Sequence, residues 1–154
     1  MLDTSRYHVN MIDLNTRNLE TPPIERLYQA YRACTSKPDA ILASLGLGRA
    51  HHRVLYFLGR HPGITVKALL ERLRISKQAA NGPLRELVER ELVTVAPSAQ
   101  DRRVRLLTLT VAGQALEQQL TSLQASHLEK AFEIAGPEAT AGWLEVLQAI
   151  AALD

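Results

Sequence analysis

At 154 residues the chain has the size of one ordinary domain, and its 46% hydrophobic content, led by Leu and Ala, is enough to bury a core and favours helices. The 18 Lys plus Arg nearly balance 16 Asp plus Glu, but from Arg49 to Arg105 there are 12 basic and 5 acidic residues, net +7, while the remainder has 6 basic and 11 acidic, net −5. A single cysteine, Cys34, excludes an internal disulfide, and no apolar run approaches the ~20 residues that span a bilayer; with no signal-peptide layout at the amino terminus, the cytoplasm is the expected location.

Residues 1–21 carry little periodicity. Tyr7, Val9 and Met11 alternate as in a short edge strand, and the segment reads as an arm that packs on a partner or stays mobile. Thr21-Pro22-Pro23 then punctuates the chain, since proline is tolerated in a helix's first turn. Ile24, Leu27, Tyr28, Tyr31 and Cys34 follow at helical spacing. Pro38 is expected to kink or restart that helix before Ile41, Leu42 and Leu45, and Leu45-Gly46-Leu47-Gly48 ends it.

A second helix is expected from about Arg49 to Arg60, with Val54, Leu55, Phe57 and Leu58 inward and His61-Pro62-Gly63 as its stop. Thr65 reads as the N-cap of a short helix over 66–74, and Ser76 as the N-cap of the next. Two short helices joined so tightly are the mark of a helix-turn-helix. The second of them contains Asn81-Gly82-Pro83. Pro83 removes the bond to the carbonyl of Ala79, so a kink or a restart at Pro83 is expected.

A strand over 92–96, a basic hairpin tip at Asp101-Arg102-Arg103 and a return strand over 104–109 follow. Thr110 then caps a long helix to about Ala135, broken by Gly136-Pro137, and a last helix covers 138–153. The first helix and these two carry more apolar surface than a small winged domain requires, so a two-fold homodimer is expected. The fold class is mainly α with a small two- or three-stranded β-wing: a winged helix-turn-helix flanked by N- and C-terminal dimerisation helices. A cationic helix beside a cationic ribbon can place the helix in a major groove of double-stranded DNA while the ribbon tip reaches a minor groove.

At this point the chain resembles the multiple-antibiotic-resistance (MarR) family of bacterial transcription regulators, over roughly 24–153. The resemblance rests on Asp101-Arg102-Arg103 followed by Leu109-Thr110 and Gly113, on Leu45-Gly46-Leu47, and on Ser76-Lys77 opening the recognition helix. It implies an arm over 1–21 and a domain over 22–154, divided into a DNA-binding lobe at 49–109 and dimerisation helices at 22–47 and 110–154. It also implies a dimer that sets two recognition helices in successive major grooves of a pseudo-palindrome, with Arg103 entering the minor groove and Asp101 bracing it or the turn. Repression is the family expectation, because a dimer on a promoter excludes polymerase; activation by the same module stays open.

The family often has a long polar residue near Gly82, which here offers no side chain to a base. Base reading is therefore expected of Gln78 and Asn81, whose amides can pair bidentately with adenine, and phosphate contacts of Lys77 and Arg85, with Ser76 at the helix start and Arg102 at the tip. Family members often bind a small aromatic effector, and by position Tyr31, His52 and Arg53 are the residues to line such a cleft. Cys34 lies further along the first helix than the reactive cysteine of peroxide-sensing relatives, and a buried, inert thiol is expected. The histidines His8, His51, His52, His61 and His127 show no metal-ligand spacing, so neither a metal nor another cofactor is expected. The competing reading is a winged helix that contacts an acidic protein instead of DNA, favoured by Gly82 and Pro83. No phosphate loop, nucleophile elbow or metal motif supports an enzyme.

Overall fold

Three hydroxyl side chains fix where helices begin. In the computed structural model, which describes residues 22–153, Thr65 accepts from the Ala68 amide at 3.1 Å, Ser76 from Ala79 at 3.2 Å and Thr110 from Gly113 at 3.0 Å. Each satisfies an amide that the first helical turn leaves unpaired. The elements run α1 (Pro23–Ser44), α2 (Arg49–Arg60), β1 (Ile64–Thr65), α3 (Val66–Leu73), α4 (Lys77–Glu89), β2 (Val93–Pro97), β3 (Arg105–Leu109), α5 (Val111–Ala135) and α6 (Pro137–Ala152). The mainly helical fold with a small antiparallel sheet is the one expected. The proposed strand at Tyr7 to Met11 lies outside the described residues.

The chain divides into two compact units, 1–33 and 34–154. Of the first, the structure describes the opening of α1, where Ile24, Leu27, Tyr28 and Tyr31 are all largely exposed. In the second, Leu42 and Leu47 join Val54, Leu55 and Leu58 of α2, Leu69 and Leu73 of α3, Leu87 of α4, Val93, Leu107 and Leu109 of the sheet, and Leu116 and Leu120 of α5 in one core. Burying so many leucines in one contiguous cluster is what holds these short elements together, since neither α3 nor α4 is long enough to be stable alone.

The sheet has the order β1-β3-β2, all antiparallel, so the ribbon expected from the sequence acquires a third strand at Ile64–Thr65. Ile64 faces Leu107 in register, and Val95 faces Leu107 from the other side. A two-residue strand leaves almost no alternation to read, which is why Thr65 is legible in the sequence only as a helix cap and not as a strand residue.

Of the kink or restart expected at each proline, the structure excludes the restart. α1 runs unbroken through Pro38 and α4 through Pro83, with no restart in either. Pro38 is fully buried, so its packing offsets the missing backbone bond, and at Gly82 there is no Cβ to clash with the following ring.

Three helices end alike. Leu47 bonds to the Leu42 carbonyl with Gly46 at φ +66; Ile75 bonds to Leu70 with Arg74 at φ +51; Leu92 bonds to Leu87 with Glu91 at φ +57. Each is a Schellman closure around a left-handed residue, and only the first uses the glycine that suits it. The closure at Arg74 makes the tight turn from α3 into α4, and that at Glu91 turns the chain from α4 into the wing.

Candidate nucleic-acid interface

α4 is two-sided. Ala80 and Leu87 point into the core, while Ser76 at the cap and Lys77, Gln78, Asn81 and Arg85 are exposed. Their three- and four-residue spacing places them along one outward stripe. Arg85 lies 3.4 Å from Glu89 one turn on, a solvent-exposed pair of small energetic weight. The side chains of Lys77, Gln78 and Asn81 engage no other described residue. Beside Asn81, a Cβ built on Gly82 would meet nothing within 4 Å, so the stripe is open at that position.

The hairpin tip is organised by Asp101. Its carboxylate Oδ1 accepts from the Arg103 amide at 2.9 Å, and its carbonyl accepts from Val104 at 3.0 Å. Ser98 closes the loop on the Val104 carbonyl at 2.9 Å. An aspartate turn of this kind fixes the backbone locally and leaves the neighbouring side chains outside. Arg102 and Arg103 are accordingly exposed, with their guanidinium groups unengaged among the described residues.

The base of the wing is locked to α5. The Thr110 hydroxyl donates to the Glu91 carbonyl at 2.7 Å and its amide to the Leu92 carbonyl at 3.1 Å. Gly113 packs so closely on the turn before β2 that a Cβ would lie 2.0 Å from the Leu92 oxygen. The Leu109-Thr110 and Gly113 pattern is thus a docking joint between α5 and the turn leaving α4.

α4 is also braced from the α1–α2 junction by residues that helical spacing alone does not single out. His51, buried in the first turn of α2, accepts from the Gly48 amide through Nδ1 at 3.0 Å, and its Nε2 lies 2.9 Å from Glu86 Oε2. Arg90, at the end of α4, donates to the Leu45 carbonyl at 2.5 Å. The local signal is Gly48-Arg49-Ala50-His51, where the His51 ring accepts from the N-cap amide as the Glu or Gln of a capping box does, while Gly48 has no side chain to return a bond.

Of the three residues singled out for an effector, Arg53 and His52 belong to the second unit and Tyr31 to the first. Arg53 donates to the Leu73 carbonyl at 2.7 Å, capping the end of α3 from α2. His52 is buried, and its Nε2 has no hydrogen-bond partner among the described residues. Burial pushes its imidazole below the ordinary histidine range, while the Glu117 and Asp39 charges act in the other direction. Tyr31 belongs to the first unit and is exposed. Nearby in α2, Arg60 holds the buried Glu117 carboxylate at 2.9 Å, with Thr121 donating to the same oxygen at 2.7 Å. Asp39 is held below the usual carboxylate range by hydrogen bonds from Arg49, which ties α1 to α2 at 2.7–3.1 Å.

Burial raises the Cys34 thiol above its ordinary value, which keeps it protonated and a poor nucleophile at neutral pH. His127 is exposed rather than packed. Among the described residues no three His, Cys, Asp or Glu side chains are grouped to hold a metal ion, and no helix is long and apolar enough to cross a membrane.

Comparison with known proteins gives this architecture its relatives. The model of the MarR family matches residues 45–104. The HTH-type transcriptional regulator PetP of Rhodobacter capsulatus is 42% identical over 127 residues, covering 82% of this chain and 76% of PetP. Among solved structures, the S. aureus MepR–DNA complex is similar with a TM-score of 0.73 at 18% identity, over 87% of this chain and 99% of that one. A Bordetella bronchiseptica BpsR structure, described as a mechanism for regulation of DNA binding by 6-hydroxynicotinic acid, is similar with a TM-score of 0.68 at 20% identity, over 88% and 97%. The winged helix-turn-helix, its aspartate-braced wing and the extent of the match to PetP place this chain in the MarR family of transcriptional regulators.

Proposed function

We propose that this protein regulates transcription in the cytoplasm by binding double-stranded DNA in a sequence-specific manner, as a homodimer on a pseudo-palindromic operator, and that it acts as a repressor. The observation that carries the reading is the outward stripe of α4, where Lys77, Gln78 and Asn81 hold polar groups engaged by nothing else in the described structure. Such groups in a segment of net charge +7 suit a polyanion with readable base edges. On this reading Gln78 and Asn81 read bases, Lys77, Arg85 and Ser76 contact phosphates, and Arg102 and Arg103 meet the minor groove with Asp101 holding the turn. The competing reading, contact with an acidic protein, is favoured by Gly82 and Pro83, but α4 continues through Pro83 and carries its polar stripe on one helix.

The homodimer is supported by apolar surface at both chain ends. α6 buries none of its residues and exposes Trp143, Leu144, Val146, Ile150 and Leu153, and the start of α1 exposes Ile24, Leu27, Tyr28 and Tyr31. Patches of that kind mark association sites. Release by a small aromatic effector is supported by the BpsR likeness and by the unpartnered nitrogen of His52. Arg53, the next residue of α2, is committed to the Leu73 carbonyl.

Two substitutions test the division of roles. Lys77→Ala is expected to weaken binding to all duplexes alike and to lower the salt slope by about one phosphate equivalent. Gln78→Ala is expected to relax base preference at one position of each half-site. A Gln78→Ala variant that discriminates as well as the parent contradicts the assignment, and binding without steep salt dependence contradicts the DNA reading itself.

A further inference from the structure

Apolar packing alone positions a helix loosely, because leucine contacts have little directional preference. α4 turns Ala80 and Leu87 into the core, and what fixes its rotation and height must be directional. Two polar contacts do this, and both come from the junction of α1 and α2: His51 on Glu86 and Arg90 on the Leu45 carbonyl.

The chemistry of His51 is fully determined by its neighbours. Nδ1 faces an amide N–H, so it must be the unprotonated acceptor. Nε2 faces a carboxylate oxygen, so it must carry the proton and donate. The ring is thus a rigid strut, held at one end by the Gly48 amide that opens α2 and at the other by Glu86 on α4. The side chain of His51 is largely buried, so water competes weakly for either bond. Glu86 follows Arg85 directly and lies five residues beyond Asn81 on the same helix, so a displacement at Glu86 is transmitted to the outward stripe.

We infer that His51 is a positioning residue for DNA reading, setting the orientation of α4 through Glu86 from the first turn of α2. The inference rests on the proposed DNA-reading role of α4. It constrains residue 51 to side chains with an acceptor and a donor at opposite ends and of suitable reach. Glutamine meets this requirement, its oxygen accepting from Gly48 and its amide nitrogen donating to Glu86. Alanine supplies neither bond.

The experiment uses the full chain and the duplex that the parent protein enriches from a random pool, with an unrelated duplex at low salt as the nonspecific reference. His51→Ala is expected to lose on the order of tenfold in affinity for the enriched duplex, as for one hydrogen bond to a charged group, while keeping its affinity for the unrelated one. His51→Gln is expected to restore discrimination. Glu86→Ala should match His51→Ala, and the double variant should be no worse than either. Should His51→Ala fail to fold, Glu86→Ala carries the same test, since Glu86 is partly exposed. Equal losses on both duplexes, unchanged discrimination, additive losses in the double variant, or failure of His51→Gln to recover would each overturn the positioning role. A parent protein that enriches no duplex overturns the DNA reading, and this inference with it; a discriminating parent with an equally discriminating alanine variant overturns the inference alone.

Discussion

Replacing Gly113 by alanine adds one methyl group at the tightest approach between α5 and the wing. The new Cβ would sit 2.0 Å from the Leu92 oxygen and 3.0 Å from its carbonyl carbon, backbone atoms with no rotamer to adopt. Relief requires α5 to withdraw from the turn leaving α4, which stretches the Thr110 hydroxyl bond to Glu91 and the Thr110 amide bond to Leu92. Overpacking costs about 1–3 kcal/mol and the two bonds about 1 kcal/mol each, while alanine returns about 1 kcal/mol of helix propensity. The net loss expected is about 2–4 kcal/mol, a large share of a stability that is ordinarily about 5–15 kcal/mol. Urea unfolding at fixed protomer concentration measures it, with Gly142→Ala as control, because a Cβ on Gly142 meets nothing within 4 Å and should gain up to about 1 kcal/mol. A Gly113→Ala midpoint within about 0.5 kcal/mol of the parent, the range of an ordinary surface substitution, would refute the docking joint.

Other consequences follow from single groups. His52 has its folded-state pKa lowered by burial, so below the ordinary histidine value of about 6.5 the unfolded chain takes up a proton that the folded one resists. Stability should therefore fall as pH drops from about 7 towards 5, and His52→Leu should flatten that slope; parallel slopes in pH-dependent urea unfolding would contradict it. Glu91 holds φ +57 without being glycine, so Glu91→Gly should gain about 1 kcal/mol in thermal unfolding, and a loss would show that its side chain matters more than its backbone. Asp101→Ala removes the acceptor for the Arg103 amide, and should weaken binding to an enriched duplex by about three- to tenfold, with little change in melting temperature. Unchanged affinity in an anisotropy titration would mean that the wing turn does not need its brace.

Much of this fold was legible because its markers are local. Thr65, Ser76 and Thr110 announce their helices through side chains that bond only three residues on, and Gly46 announces the end of α1 through the one residue type that adopts its φ without strain. The ends of α3 and α4 close in the same way on Arg74 and Glu91, residue types that carry no such marker. At the prolines the reverse holds: a local marker is present, and the restart it allows does not occur. A helix rule that holds in isolation gives way where Pro38 is packed into the core and where Gly82 precedes Pro83. In the candidate interface, exposed cations and amides could be read from helical spacing, but the supports beneath them could not. His51 and Glu86 are 35 positions apart, and only the folded chain shows that the two meet at 2.9 Å.

Selection of duplexes from a random pool, read by sequencing the bound fraction at two salt concentrations, separates a sequence-reading dimer from its rivals. The account predicts salt-sensitive binding and enrichment of an inverted repeat, with half-sites about one helical turn apart as a two-fold dimer with paired recognition helices requires. Binding that is salt-sensitive but enriches no sequence, or no binding even at low salt, would contradict it.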